Sequence, residues 1–285
     1  MTAVAFQGDR IDIGGRSLRV VRAGPADGAL LIVCEHGAFG CAADWAVVQD
    51  RLRARGLRSL AYDRAGLGHS DAGPEPRDGR AINDDLEALL KAIGEQGPIL
   101  LVGHSMGGLM VRLFALERDV PLAGLVLVDA VTPDVLSLPG GPRVIHAFGR
   151  LLQVVSHGAK VGLMHPVSLV SGNLIGLPGE PGAEKRRIHA SATHAHGAAA
   201  EVMSWPATSK LAGAADLPQE LPVAVVTAGP ARSGGQLKSL QEAPAKRARS
   251  GYIEHVAAAN HANLLGPRFA DAILRGIDHV LDAKG

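Results

Sequence analysis

The chain has 285 residues, 47% of them hydrophobic, enough to bury a large core in one α/β domain with an insertion. With 29 Lys and Arg against 28 Asp and Glu, the formal net charge is +1, and no basic field suits nucleic acid. No uninterrupted apolar segment reaches transmembrane length, and the first ten residues lack a basic start followed by a long apolar core, so a cytoplasmic protein is expected. Cys34 and Cys41 are the two cysteines. A disulfide between them is not required, neither has a zinc-type partner set, and Cys41 lacks the surroundings of a nucleophile.

The chain opens with a hairpin pattern, Ile11-Asp12-Ile13 and Leu18-Arg19-Val20-Val21 around Gly14-Gly15. Residues 29–34 form a continuous apolar run, the mark of a strand buried on both faces, and end in Glu35-His36-Gly37-Ala38-Phe39-Gly40. Trp45, Val48 and Leu52 then recur at helical spacing. A strand over 58–62 runs into the loop Asp63-Arg64-Ala65-Gly66-Leu67-Gly68-His69-Ser70. Residues 82–93 read as an acidic amphipathic helix with Ile82, Leu86, Leu89, Leu90 and Ile93 on one face.

A second apolar run, 99–102, stops at Gly103-His104-Ser105-Met106-Gly107-Gly108, and a helical pattern follows at once to about Glu117. This is the layout of a nucleophile elbow, G-x-S-x-G, in which a sharp strand-to-helix turn exposes a serine. It also aims a helix N-terminus at charge developing there. Residues 122–128 form another buried strand, ending at Asp129-Ala130. The alternation of strands and helices predicts a mostly parallel sheet covered by helices on both faces. The beat stops over 132–216, which is rich in Gly, Pro and His and is read as an inserted cap with short helices near 151–155 and 167–170. It resumes with a strand over 221–227, a helix over 234–249 interrupted by Pro244, a strand over 252–256, the loop Asn260-His261-Ala262-Asn263 and a closing helix over 269–281. The core is therefore expected at 1–131 and 217–285.

A serine hydroxyl needs a base to take its proton, and the base needs a carboxylate to hold its tautomer. In a parallel α/β sheet such groups converge from the carboxyl ends of the strands. His261 follows the last strand and Asp129 ends another, so Ser105, Asp129 and His261 stand in the chain order that accompanies this elbow. Two alternatives remain open from the residues alone: His255 as base, and Asp216 as acid. Asp129 also has a plain reading, a strand-end carboxylate capping local N–H groups. His36, His104, His69 and Asp63 read as packed or structural. His189, His194 and His196 read as a polar surface of the cap without metal spacing.

Taken together, Glu35-His36-Gly37-Ala38, Tyr62-Asp63-Arg64-Ala65-Gly66-Leu67-Gly68-His69-Ser70, Gly103-His104-Ser105-Met106-Gly107-Gly108, Leu125-Val126-Leu127-Val128-Asp129 and Asn260-His261 make the chain resemble the α/β-hydrolase fold superfamily, lipase/esterase type. The resemblance implies an oxyanion hole from the amides of Met106 and Ala38, with Phe39 as fallback. In most of that family the acid follows the strand after the cap, but here that strand ends Thr227-Ala228-Gly229-Pro230 with no acid. A minority carries it after the strand before the cap, which is Asp129. The expectation is a serine hydrolase, with no cofactor and no metal, cleaving a small apolar ester. Leu151, Leu152, Val154, Val155, Leu163, Met164, Val167 and Leu169 would line its acyl pocket. The same fold also hosts carbon–carbon bond hydrolases, cofactor-free haloperoxidases and non-catalytic binding proteins.

Overall fold

The structure is a computed structural model and describes residues 8–231 and 235–283. The leader reading over residues 1–7, and the helix start at Gly234, lie outside the described residues. The core is an eight-stranded sheet of order β1-β2-β4-β3-β5-β6-β7-β8. Its strands are β1 (Asp9–Asp12), β2 (Ser17–Ala23), β3 (Leu31–Glu35), β4 (Ser59–Tyr62), β5 (Ile99–His104), β6 (Leu122–Val128), β7 (Val223–Ala228) and β8 (Gly251–Val256). The opening hairpin β1–β2 joins antiparallel, with Val20 opposite Tyr62, and β3 to β8 pair in parallel.

Period-2 geometry explains why the central strands are apolar throughout. Ile32, Cys34, Leu100, Val102, Val126, Val128, Ala224 and Val226 face one side. There they meet Trp45, Val48 and Leu52 of helix α1 (Ala46–Ala54) and the turn before it, and Ile273 and Ile277 of α10 (Ala270–Asp282). Leu31, Val33, Ile99, Leu101, Leu125, Leu127, Val223 and Val225 face the other. There they meet α2 (Gly79–Ala92), α3 (Gly107–Glu117) and α9 (Gly235–Arg247). A strand buried on both faces must be apolar at every position.

Between β6 and β7 run five helices: α4 (Gly141–Lys160), α5 (Met164–Ser171), α6 (Gly179–His189), α7 (Ala192–Met203) and α8 (Trp205–Ala212). The short helices expected near 151–155 and 167–170 are parts of the longer α4 and α5. A third apolar cluster joins this segment to the core, with Ile145, Leu152, Ala198, Val202 and Trp205 packed against Met106, Leu109, Met110 and Leu113. Buried ion pairs add direction to that contact: Arg64 with Glu201 of α7, Lys185 of α6 with Asp44, and Arg19 with Glu184 of α6. Asp44 and Arg64 lie in the segments after β3 and β4, and Arg19 lies in β2, so these pairs tie α6 and α7 to the sheet and to two of its carboxyl-end loops.

Candidate active site

The turn from β5 into α3 holds Ser105 at φ 54°, in the left-handed region. A non-glycine residue there costs about 1–3 kcal/mol and persists only where its surroundings enforce it. Here the Ser105 N–H donates to the Val128 carbonyl at 3.1 Å, and the Ser105 carbonyl accepts from Gly108 and Val131 at 3.0 and 2.9 Å. The glycines of the turn are required by close approach. A Cβ on Gly107 would lie 2.5 Å from the Glu35 carbonyl, and one on Gly37 would lie 2.9 Å from Cβ of Ser105. Phe39 (φ 55°) and Asp129 (φ 41°) are the other described non-glycine residues at positive φ, so the backbone strain gathers at this one place.

Ser105, His261 and Asp129 meet at the ends of β5, β8 and β6. Asp129 Oδ2 accepts from His261 Nδ1 at 2.7 Å, which leaves Nε2 to accept from the Ser105 hydroxyl at 3.0 Å. The other oxygen of Asp129 accepts from the Ala228 amide at 3.2 Å and from Gln241 Nε2 at 3.3 Å. Burial pushes the Asp129 carboxyl upward, but the His261 hydrogen bond and charge and the Ala228 N–H outweigh it, and the net direction is downward. The loop at Ala228, empty of any acid, thus serves the carboxylate through its backbone. Among the described residues, the amides of Ala38 and Met106 have no hydrogen-bond acceptor. They flank the serine from the β3 loop and from the start of α3.

The remaining candidates fall elsewhere. Asp216 is exposed and pairs with Arg247 at 2.6 Å. His255 hydrogen-bonds Thr227 at 2.7 Å and faces Glu242 at 3.2 Å. Asp63 accepts from the Ala42 and His69 amides, as a structural carboxylate does. Cys34 and Cys41 are free, buried thiols. The reading of His189, His194 and His196 as a polar cap surface needs a correction: of these three, His196 alone is exposed. His189 and His194 pack on the Phe39 ring at 4.4 and 4.6 Å between centroids. His194 Nδ1 accepts from the Gly68 amide at 3.1 Å while Nε2 donates to the Phe39 carbonyl at 3.3 Å, tying two loops together. Burial drives its pKa down to about 3, which keeps it neutral for that double role.

Two supports were not read from the sequence. His104 is buried below His261, its ring 4.7 Å away, and its Nε2 donates to the His261 carbonyl at 3.1 Å. Burial, with the His261 charge nearby, drives its pKa down to about 3. Arg64 lies wholly buried under the loop that follows β3. It donates to Glu35, to the His36 and Gly37 carbonyls at 2.7 and 3.0 Å, and to both Glu201 oxygens at 2.8 and 2.7 Å. The five N–H groups of the guanidinium are all used. Glu35 shares that cation with Glu201, and burial pushes its carboxyl upward.

A cavity of about 500 Å³ opens beside Asp129 and His261, lined by Val135, Leu138, Val144, Ile145, Trp205, Leu237, Lys238 and Gln241 among others. This corrects the expected acyl-pocket residues. Leu151 and Val154 are exposed because α4 turns its other face to α7, and Leu163, Val167 and Leu169, in the following turn and α5, are exposed as well. Lys238 is engaged by Thr227 Oγ1 at 2.6 Å and by the Ala228 and Gly229 carbonyls. Among the described residues no cluster of His, Cys, Asp and Glu could hold a metal ion, and no helix is long and apolar enough to cross a membrane.

A family model described as "alpha/beta hydrolase fold" matches residues 31–151. The putative carbamate hydrolase RutD of Variovorax paradoxus is 38% identical over 110 residues, 38% of this chain and 40% of that one. The bifunctional esterase/perhydrolase DCH of Acinetobacter calcoaceticus is 33% identical over 120 residues, 42% of this chain and 43% of that one. The aligned part is between 18% and 48% of the curated relatives' own length. Among solved structures, an esterase from Thermogutta terrifontis superposes with a TM-score of 0.70 at 22% identity, covering 96% of this chain and 99% of that one.

Proposed function

The chain is an α/β-hydrolase-fold protein, and from that premise we propose that it is a serine hydrolase that cleaves a carboxylic ester through a covalent acyl-enzyme. The observation that carries this reading is the continuous hydrogen-bond chain Ser105–His261–Asp129, at 3.0 and 2.7 Å, beside two backbone amides with no other acceptor. His261 Nε2 takes the hydroxyl proton as Ser105 Oγ attacks the ester carbonyl. The oxyanion that forms is held by the amides of Ala38 and Met106. Collapse of the tetrahedral adduct breaks the ester C–O bond, and the leaving alcohol takes the proton from His261. Water, deprotonated by His261, then attacks the acyl-enzyme and releases the acid and free Ser105. Asp129 orients the imidazole and stabilises its charged form. No step calls on a cofactor.

The helical segment 132–216 acts as the cap over this centre, and the apolar cavity wall at Val135, Leu138, Ile145 and Trp205 favours an apolar substrate. The relatives whose names state a putative carbamate hydrolase and an esterase/perhydrolase support a hydrolase over a non-catalytic binder. The test is Ser105→Ala with nitrophenyl esters of graded chain length. The variant should keep the far-UV circular dichroism and Tm, lose labelling by a fluorophosphonate probe, and lose at least about 10³-fold in kcat/KM. Turnover near that of the unchanged protein would overturn the assignment.

A further inference from the structure

Helix α4 carries three lengthwise stripes. Ile145, Gly149, Leu152 and Ser156 are buried against α7. Beside them runs a second apolar row, Val144, Ala147, Leu151 and Val154, all exposed, with Val144 at 68%, Leu151 at 57% and Val154 at 68%. The third stripe is Arg143, His146, Arg150, Gln153, His157 and Lys160, also exposed. The row continues past the helix end into Val161, Leu163, Val167 and Val170 of the next turn and α5, and Val170 is 86% exposed. Of the large apolar side chains exposed on the described surface, most belong to this stretch. Contiguous apolar patches of this kind mark contact sites rather than ordinary surface.

The charge on this face says what covers it. From Val135 to Gly179 there is no acidic residue, while Arg143, Arg150 and Lys160 stand along the apolar row. A second copy of the chain would bring the same cations and no carboxylate to meet them. A helix with an apolar strip edged by cations has the build of one that lies in the interface of a bilayer. We propose that the α4–α5 face docks on a lipid surface bearing anionic headgroups. Val144 belongs both to the exposed row and to the wall of the cavity beside His261, together with Val135, Leu138 and Ile145. Docking therefore sets the cavity mouth at the membrane, where an apolar ester partitions. That delivery step rests on the hydrolase reading. The docking does not.

The test is flotation of the whole protein with phosphatidylcholine vesicles, with and without phosphatidylserine. The unchanged protein should float with the phosphatidylserine vesicles, and added salt should release it. Leu151→Asp/Val154→Asp/Val170→Asp, three residues outside the cavity wall, should bind those vesicles at least about tenfold more weakly. Arg143→Glu/Arg150→Glu should do the same through charge. Turnover of a short, water-soluble nitrophenyl ester should be unchanged in both variants, so a failure of catalysis and a failure of docking are separate results. Three outcomes overturn the proposal: no flotation with either vesicle, equal flotation with both, or equal flotation of the unchanged protein and the triple variant. Sedimentation showing a dimer that the triple variant splits, with vesicles unbound, assigns the face to a second copy and also overturns it.

Discussion

Glu201→Ala tests how α7 holds the loops after β3 and β4 in shape. Arg64 and Glu201 each have fully buried side chains, and their two hydrogen bonds, at 2.8 and 2.7 Å, form a buried ionic link between α7 and the loop after β4. Truncation leaves two of the five guanidinium donors without their acceptor. Removing one partner of a buried pair costs about 3–5 kcal/mol, and here, with Glu35 still beside the cation, the loss comes from two guanidinium donors left without an acceptor. Globular proteins unfold with about 2.1 cal/mol/K of entropy per residue. Over 285 residues that converts to a Tm lowered by about 5–8 °C. The assay is urea and thermal unfolding at neutral pH, followed by circular dichroism. Asp50→Ala serves as the control: its partner Arg53 lies 3.3 Å away with side-chain exposures of 73% and 59%, so a change within about 0.5 kcal/mol is expected. A Glu201→Ala protein within about 1 kcal/mol of the unchanged one would refute the claim that this pair anchors the loop.

The carboxylate assignment makes a graded prediction: Asp129→Asn should lower kcat/KM by about 10²–10⁴-fold. Gln241→Leu, which removes one donor to Asp129 Oδ1 and leaves the Ala228 amide in place, should lower it about tenfold or less. Equal losses from the two would show that Asp129 does not act through His261. Glu184 gives a pH prediction. Burial pushes its carboxyl up to about 7, against the pull of Arg19 and with a further push from Asp63. The folded state then binds a proton that the unfolded state releases, so this group lowers stability as pH rises from the ordinary carboxylate range through about 7. The Tm of Glu184→Gln relative to the unchanged protein should therefore be higher at pH about 8 than at about 5, and a pH-independent difference would refute the shift.

Much of the architecture was legible in the sequence because the parallel strands are buried on both faces and must be apolar throughout. Residues 31–34, 99–102 and 122–128 announce themselves as strands, and the residues just past each carboxyl end land at the same edge of the sheet. That geometric rule brought Ser105, Asp129 and His261 together without any contact being known. The glycines around Ser105 were equally legible, since a strand-to-helix turn leaves no room for a Cβ at Gly107.

Contacts between distant segments had no such signature. Glu201 lies 137 residues from Arg64, Gln241 lies 112 from Asp129, and His104 lies 157 from His261, so their pairing exists only after folding. Helix α4 shows the limit most directly. Its sequence carries two adjacent apolar stripes, and the expected pocket lining drew on both, Leu151 and Val154 as well as Leu152 and Val155. The fold buries the other, Ile145, Gly149, Leu152 and Ser156, because its small residues let α7 approach closely: a Cβ on Gly149 would lie 2.7 Å from Met203 Sδ. The sequence placed a short apolar helix at 151–155; the tertiary structure carries it over Gly141–Lys160, and close packing decided which side of it faces the protein and which is left for something else.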